Sequence, residues 1–298
     1  MAHVRQTLGA EVSERRACSV LGQPRRTQRY IVRQDDDEPA LVRRMLELVG
    51  RHPRYGYRRI WALLKLEGWH VNKKRIWRLW KQEGLKVPQK KHKKRSLGQA
   101  VNGCTRLLSA GKDDIWAMDF VFDVTANGRS LKWLAIVDEF TRECLALEVS
   151  RQFKATDVVD VLRELIAIRG TPAHIRCDNG PEFIAHAVKG WLDTSKIGTL
   201  YIEPGSPWQN GYAESFNSKL RDELLAVELF ETLKQAKALA IHWRLEYNHR
   251  RPHSSLDYQT PAKFAATCVP RLPLRLAALG SVPAAERTSR GDSLTTLS

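Results

Sequence analysis

The chain has 298 residues, 43% of them hydrophobic and 28% charged, which is enough apolar material for a packed core and enough length for two domains. Lys and Arg total 49 against 33 Asp and Glu, and residues 1–100 hold 25 of the basic residues but only 9 of the acidic ones, so the whole excess lies in the first third. No apolar run reaches the ~18–20 residues of a membrane span, no apolar signal core opens the chain, and five scattered cysteines have neither zinc-finger nor disulfide-framework spacing. Membrane proteins and disulfide-rich secreted proteins drop out. What remains is a protein of a reducing cytosol whose basic end meets a polyanion, nucleic acid first.

In chain order, residues 1–34 read as a basic helical N-terminal segment. Ser13 caps a short helix that Gly22 ends, and Pro24 suits the first turn of a second, basic helix. Asp35 to Pro39 form an acidic break. Residues 35–88 read as a helix-turn-helix-like DNA-binding domain of three helices. Leu41, Val42, Met45, Leu46 and Val49 space the first, which Gly50 to Pro53 stop; Ile60, Trp61 and Leu64 space the second, closed by Gly68. Asn72 caps the third, with Ile76, Leu79 and Trp80 inward. Its other face carries Lys73, Lys74, Arg75, Arg78 and Lys81, placed to neutralise phosphates along a groove. Trp61, Trp77 and Trp80 are assigned to the core rather than to stacking on bases. Residues 89–111 are a basic linker in which Lys90, Lys91, Lys93, Lys94 and Arg95 ride on phosphates without reading sequence.

Residues 112–268 change character to α/β. Strands are expected at 115–124, 131–137 and 144–149, the first two joined by the Asn127-Gly128 hairpin turn. A helix over 156–168, a buried strand over 173–177, a helix over 183–193, a short strand at 200–202 and a Gly/Pro/Asn loop at 204–211 follow. Helices near 212 and over 232–247 complete a mixed sheet flanked by helices. Residues 269–298 have no periodicity and read as a poorly ordered tail.

Three acids stand out. Asp119 sits in mid-strand among apolar residues, Asp178 stands where a buried strand ends, and Glu214 falls in the first turn of a helix after a loop. Each alone has a structural reading: an Arg partner for Asp119, a turn for Asp178, a helix N-terminus for Glu214. Together, like charges gathered at one point need hard divalent cations, and two Mg²⁺ ions ~3.5–4 Å apart would serve phosphoryl transfer.

The conjunction resembles the D,D(35)E signature of retroviral-type integrases and bacterial insertion-sequence transposases: 35 residues separate Asp178 from Glu214. Trp116-Ala-Met-Asp119, Asp178-Asn-Gly-Pro-Glu-Phe183 and Asn210-Gly-Tyr-Ala-Glu-Ser-Phe-Asn217 look like that core's motifs. Tyr247-Asn-His-Arg-Arg-Pro-His-Ser-Ser-Leu256 and Tyr258-Gln-Thr-Pro261 resemble the end of second-frame (OrfB) transposases of the third insertion-sequence family. The resemblance covers about 13–265. It implies a ribonuclease-H-like core that cleaves and joins DNA strands at insertion-sequence ends. Asp119, Asp178 and Glu214 would be both catalytic residues and Mg²⁺ ligands, with Mn²⁺ able to substitute and no covalent protein intermediate. Arg221, two helical turns after Glu214, is carried over as DNA-binding. Implied partners are double-stranded DNA as element ends and target, further copies of the chain, and a first-frame (OrfA) product or frameshift fusion; the place is the bacterial cytoplasm, on the nucleoid when DNA-bound, with no membrane partner. The zinc module of retroviral integrases and a sustained heptad are both missing from this sequence.

Asn179 and Glu182 either orient the metal site or cap the next helix. Asn217 either holds substrate or packs, and Arg251 and His253 either contact DNA or pack the last helix onto the sheet. Two rival functions stand beside transposition: a structure-directed nuclease on the same fold, and a catalytically idle DNA-binding modulator of a full-length transposase.

Overall fold

The computed structural model describes residues 13–30, 36–87, 106–178, 180, 186–202 and 210–269. Lys90, Lys91, Lys93, Lys94, Arg95, Asn179 and Glu182, and the tail from 270, lie outside the described residues. By its contacts the chain divides into two compact units between Arg51 and His52, within the expected three-helix domain.

In the first unit, α1 (Glu14–Val20) starts where Ser13 Oγ accepts from Arg16 N at 3.3 Å, and Gly22 ends it with φ +61°. Pro24 is the cap of α2 (Arg25–Gln28) and not part of its first turn as expected. Arg29 grips Glu14 through two nitrogens, at 2.9 and 2.8 Å, tying the two helices together. The helix α3 (Glu38–Arg51) overruns both of its expected limits. Glu38 and Pro39 fill its first turn, where a carboxylate complements the free N–H groups and proline lacks only a donor that would go unused. Gly50 falls in the last turn, where its low helix propensity costs little.

The second unit opens with α4 (Tyr57–Leu66) and α5 (Lys73–Gln82), which pack on each other. Asn72 Oδ1 caps α5 by accepting from Lys74 N at 2.9 Å, and Ile60, Leu64, Ile76 and Leu79 are buried between them. Trp80 is buried, as expected. Trp77 is not: it is 45% exposed, with Lys81 Nζ 4.2 Å from its ring centroid, because one more residue around a 3.6-residue turn carries it off the inner face. Trp61 is half-buried and donates from Nε1 to Val71 O at 2.8 Å.

The sheet comprises β1 (Ile115–Val124), β2 (Ser130–Asp138), β3 (Cys144–Ser150), β4 (His174–Cys177) and β5 (Gly198–Tyr201), in the order β3-β2-β1-β4-β5. β1–β2 and β2–β3 pair antiparallel, β1–β4 and β4–β5 parallel, and Gly128 turns the first hairpin at φ +77°. This is the expected mixed sheet. Alternation along the strands makes two cores. Trp116, Met118, Leu134 and Ile136 face one side, against α6 (Ala155–Arg169) and α7 (His186–Thr194). Ala117, Val121, Trp133 and Ala135 face the other, against α8 (Gly211–Leu220) and α9 (Leu233–His249). α8 continues into a π-helical turn, Arg221–Leu225, closed by Ala226 N donating to Arg221 O at 2.8 Å. A 3₁₀ turn (Ser254–Leu256) and α10 (Pro261–Thr267) follow α9, and neither was expected from the pattern.

Candidate active site

Strand parity places the first acid. Asp119 lies between Ala117 and Val121 in the period-two pattern, so its side chain faces α8 and not α6. There Asn217 Nδ2 donates to Asp119 Oδ2 at 2.7 Å, while Phe120 N donates to Oδ1 at 2.8 Å. Asn217 is buried, and its own Oδ1 has no partner among the described residues. Of the two roles open for Asn217, the geometry displays a direct bond to the acid.

Asp178 follows β4, next to β1 in the sheet, and is exposed; its Oδ1 accepts from Gly180 N at 3.0 Å. Glu214 is exposed on the first turn of α8, one turn before Asn217. The three meet electrostatically. Burial, then the charge of Asp178, and more weakly that of Glu214, push Asp119 from 3.8 up to about 6, against the pull of the Phe120 N–H and of Arg221. Arg221 is exposed at the end of α8, on the side that faces Asp119. Hard carboxylate oxygens carrying surplus negative charge fit a divalent cation in donor chemistry. Among the described residues, no group of three His, Cys, Asp or Glu is already gathered at metal-holding distance.

The expected DNA-binding residues Lys73 to Arg78 stand on a different element, α5. Lys73 and Lys74 are exposed and Arg75 and Arg78 half-buried. Lys73 Nζ lies 5.5 Å from the Trp61 ring centroid, so part of the basic face is held against an aromatic ring.

The Tyr247–Leu256 stretch packs the last helix onto the sheet. Asn248 accepts from Cys144 N at 2.8 Å and donates to Cys144 O at 2.9 Å, closing the free edge at the start of β3. Arg251 is 3% exposed and holds Glu223 by two bonds, Nε to Oε2 at 2.7 Å and Nη2 to Oε1 at 2.6 Å. Arg59 of α4 adds a third bond to Oε1 at 3.0 Å, and Arg54 pairs with the neighbouring Asp222. The π turn thus joins α4 to the sheet-packing stretch, a network that a reading of the sequence missed. The adjacent acids Asp222-Glu223, directly following Arg221, were its visible signal.

Residues 34–93 match a family model described as an HTH-like domain, and residues 110–207 and 195–261 match two described as an integrase core domain. Over 255 residues the chain is 42% identical to the 39.2 kDa protein of insertion element IS476 of Xanthomonas euvesicatoria, a match covering 86% of this chain and 73% of that one. It is 29% identical over 244 residues to the transposase InsD of an Escherichia coli IS2 element, covering 78% of this chain and 80% of that one. The chain belongs to the second-frame transposases of the third insertion-sequence family. The sheet of this transposase lies within the residues matched as integrase core. Among solved structures, the catalytic core domain of the HTLV-2 integrase in complex with magnesium is similar at 18% identity and a TM-score of 0.42, over 53% of this chain and 99% of that domain. Among the described residues no helix is long and apolar enough to cross a membrane.

Proposed function

We propose that the chain is a metal-dependent polynucleotidyl transferase that cleaves DNA at insertion-sequence ends and joins the freed 3′ end to a second phosphodiester. The observation that carries this reading is the shared field of the three acids: Asp119 is buried enough to hold its proton up to about 6 and is pushed there partly by Asp178 and Glu214. Asp119, Asp178 and Glu214 would hold two Mg²⁺ ions, or Mn²⁺ in their place. The ions would supply Lewis-acid polarisation of the phosphodiester and stabilise charge on the attacking and leaving oxygens. Asn217 keeps the Asp119 carboxylate oriented from α8.

No side chain is needed as a covalent nucleophile, and the buried thiols are poorly suited to be one. Burial pushes Cys177 up to about 12, and Cys144 higher still, so neither is a thiolate at neutral pH. Arg221, beside Asp119, would hold the DNA strand near the cut, while Lys73, Lys74, Arg75 and Arg78, with the linker residues Lys90, Lys91, Lys93, Lys94 and Arg95, would neutralise phosphates further away. The reading places the protein in the cytoplasm, as an oligomer on DNA, with a first-frame product or fusion supplying recognition of the element ends.

The test is strand cleavage and joining on linear DNA carrying the element's own ends, for wild type and Glu214→Gln. Metal-dependent joined product, absent from the variant, is the expected result. Cleavage without joining would move the protein to the nuclease reading, and DNA binding without either would move it to the modulator reading.

A further inference from the structure

The opposite face of α8 from Glu214 and Asn217 borders a second site. Residues 215 and 219 stand one turn apart and look into an open cavity of about 520 Å³ that is also lined by the Asp138–Arg142 turn and by the 3₁₀ turn at 254–256. Its walls are partly apolar, through Phe216 and Tyr247, and its basic and polar side chains come from Arg106, Arg142, Lys219, His253, Ser254 and Ser255.

The carboxylates around it are already committed. Asp138 is buried and accepts from Thr141 Oγ1 at 2.7 Å and from Phe140 N at 3.1 Å. Glu139 is held by Arg106 and Arg176, and Glu223 by Arg59 and Arg251. Lys219 and Arg142, in contrast, have no carboxylate at ion-pair distance among the described residues. Among the described residues Lys219 Nζ donates to Ser215, to its Oγ at 2.7 Å and its carbonyl at 3.0 Å. Arg142 lies with its guanidinium carbon 3.7 Å from the Tyr212 ring centroid and donates to Glu139 O. Stacking fixes the guanidinium plane and leaves N–H edges able to donate. The Arg106 Nε–H is buried with no acceptor among the described residues.

The cost of this crowding is visible in the two groups that can lose a proton. Burial first, and then Arg251, lower Lys219 to about 8 against the pull of Glu223; burial, Arg251, Lys219, Arg142 and Arg59 lower His253 to about 3. Among the described residues, the positive charge of Lys219 and Arg142 has no carboxylate in direct contact, which is an arrangement that a bound anion relieves.

We propose that this cavity is a phosphate-binding site, with Arg142 and Lys219 as its charged donors and His253, Ser254 and Ser255 as neutral ones. The Tyr212 ring is occupied by Arg142 and Arg106, at 3.7 and 4.5 Å, so the site takes a phosphate group and offers that ring to no base. The phosphate belongs either to the DNA backbone or to a free anion. The site is on the other side of α8 from the acids, and its existence does not depend on what the acids do.

The experiment is calorimetric titration of the full chain with inorganic phosphate in EDTA, against chloride at equal ionic strength. Saturable binding is expected for wild type, weakened at least tenfold in Lys219→Met and kept within about threefold in Lys219→Arg. Glu214→Gln, which leaves the cavity intact, should bind phosphate as wild type does. A short DNA duplex that competes with phosphate in wild type assigns the natural ligand to the DNA backbone; a duplex that binds without competing assigns it to a free anion. Absence of saturable binding, or equal binding by a Lys219→Met chain whose far-UV circular dichroism is native, would overturn the site. Arg142→Gln provides a second removal of charge should Lys219→Met fail to fold.

Discussion

Two charged clusters lie along one run of chain, on α8 and the π turn that extends it, and they are built in opposite ways. At the turn, Glu223 receives three hydrogen bonds from Arg59 and Arg251, and each charge has a partner of the other sign. At Asp119 two like charges, Asp178 and Glu214, outweigh the single opposing one of Arg221, and the carboxylate is hydrogen-bonded only by one amide side chain and one backbone N–H among the described residues. A buried network that satisfies itself serves the fold. A cluster that leaves its charge unbalanced costs stability unless something outside the chain completes it.

Breaking the paired cluster should have the largest effect. Glu223→Ala leaves the buried Arg251 guanidinium without its carboxylate, a loss of about 3–5 kcal/mol, read as a lower urea midpoint. Relieving the unpaired cluster should act in the other direction. Asp119 titrates higher in the folded chain than the ordinary 3.8, at about 6, so its contribution is fully present below about pH 3.8 and lost as pH rises through about 6. Asp119→Asn is therefore expected to be more stable than wild type at pH 7 in EDTA, by about 1–2 kcal/mol after the loss of the Phe120 hydrogen bond. The advantage should vanish near pH 4; a variant less stable at both pH values would mean that the carboxylate serves the fold. The smallest change in stability is expected for Asp178→Asn, within about 0.5 kcal/mol because the side chain is exposed. It should nevertheless lower the titration midpoint of Asp119, measured by carboxyl-carbon NMR, since of the two like charges it removes the one that acts more strongly on Asp119.

The architecture was largely legible in the sequence because its signals are local. Alternation at 115–124 and 131–137, the Asn127-Gly128 turn and the caps Ser13 and Asn72 each act within a few residues. What was missed depends on distant partners. The exposure of Trp77 follows from one helical step that a count of apolar residues ignores. The role of Arg251 needed Glu223, 28 residues away, and Arg59 from a different helix. The acids were picked out by residue type and spacing, but the Asn217 bond to Asp119 spans 98 residues and only the folded chain brings the two together. The basic cavity was illegible for the same reason: Arg142, Lys219 and His253 come from three separate segments.

The π turn has a consequence for chain length. Its i to i+5 bond from Ala226 to Arg221 inserts one residue more than an α-helix holds at that point. Removing a single residue from 222–225 would let the turn close with α-helical i to i+4 bonds, and would change the directions in which its side chains leave the helix axis. Glu223 or its successor would then turn away from Arg251 and Arg59, although every residue type in the network survived. Between the last turn of the acid-bearing helix and the sheet-packing stretch, the count of residues is as strict a requirement as their identity, so deletions here should be far more damaging than conservative replacements.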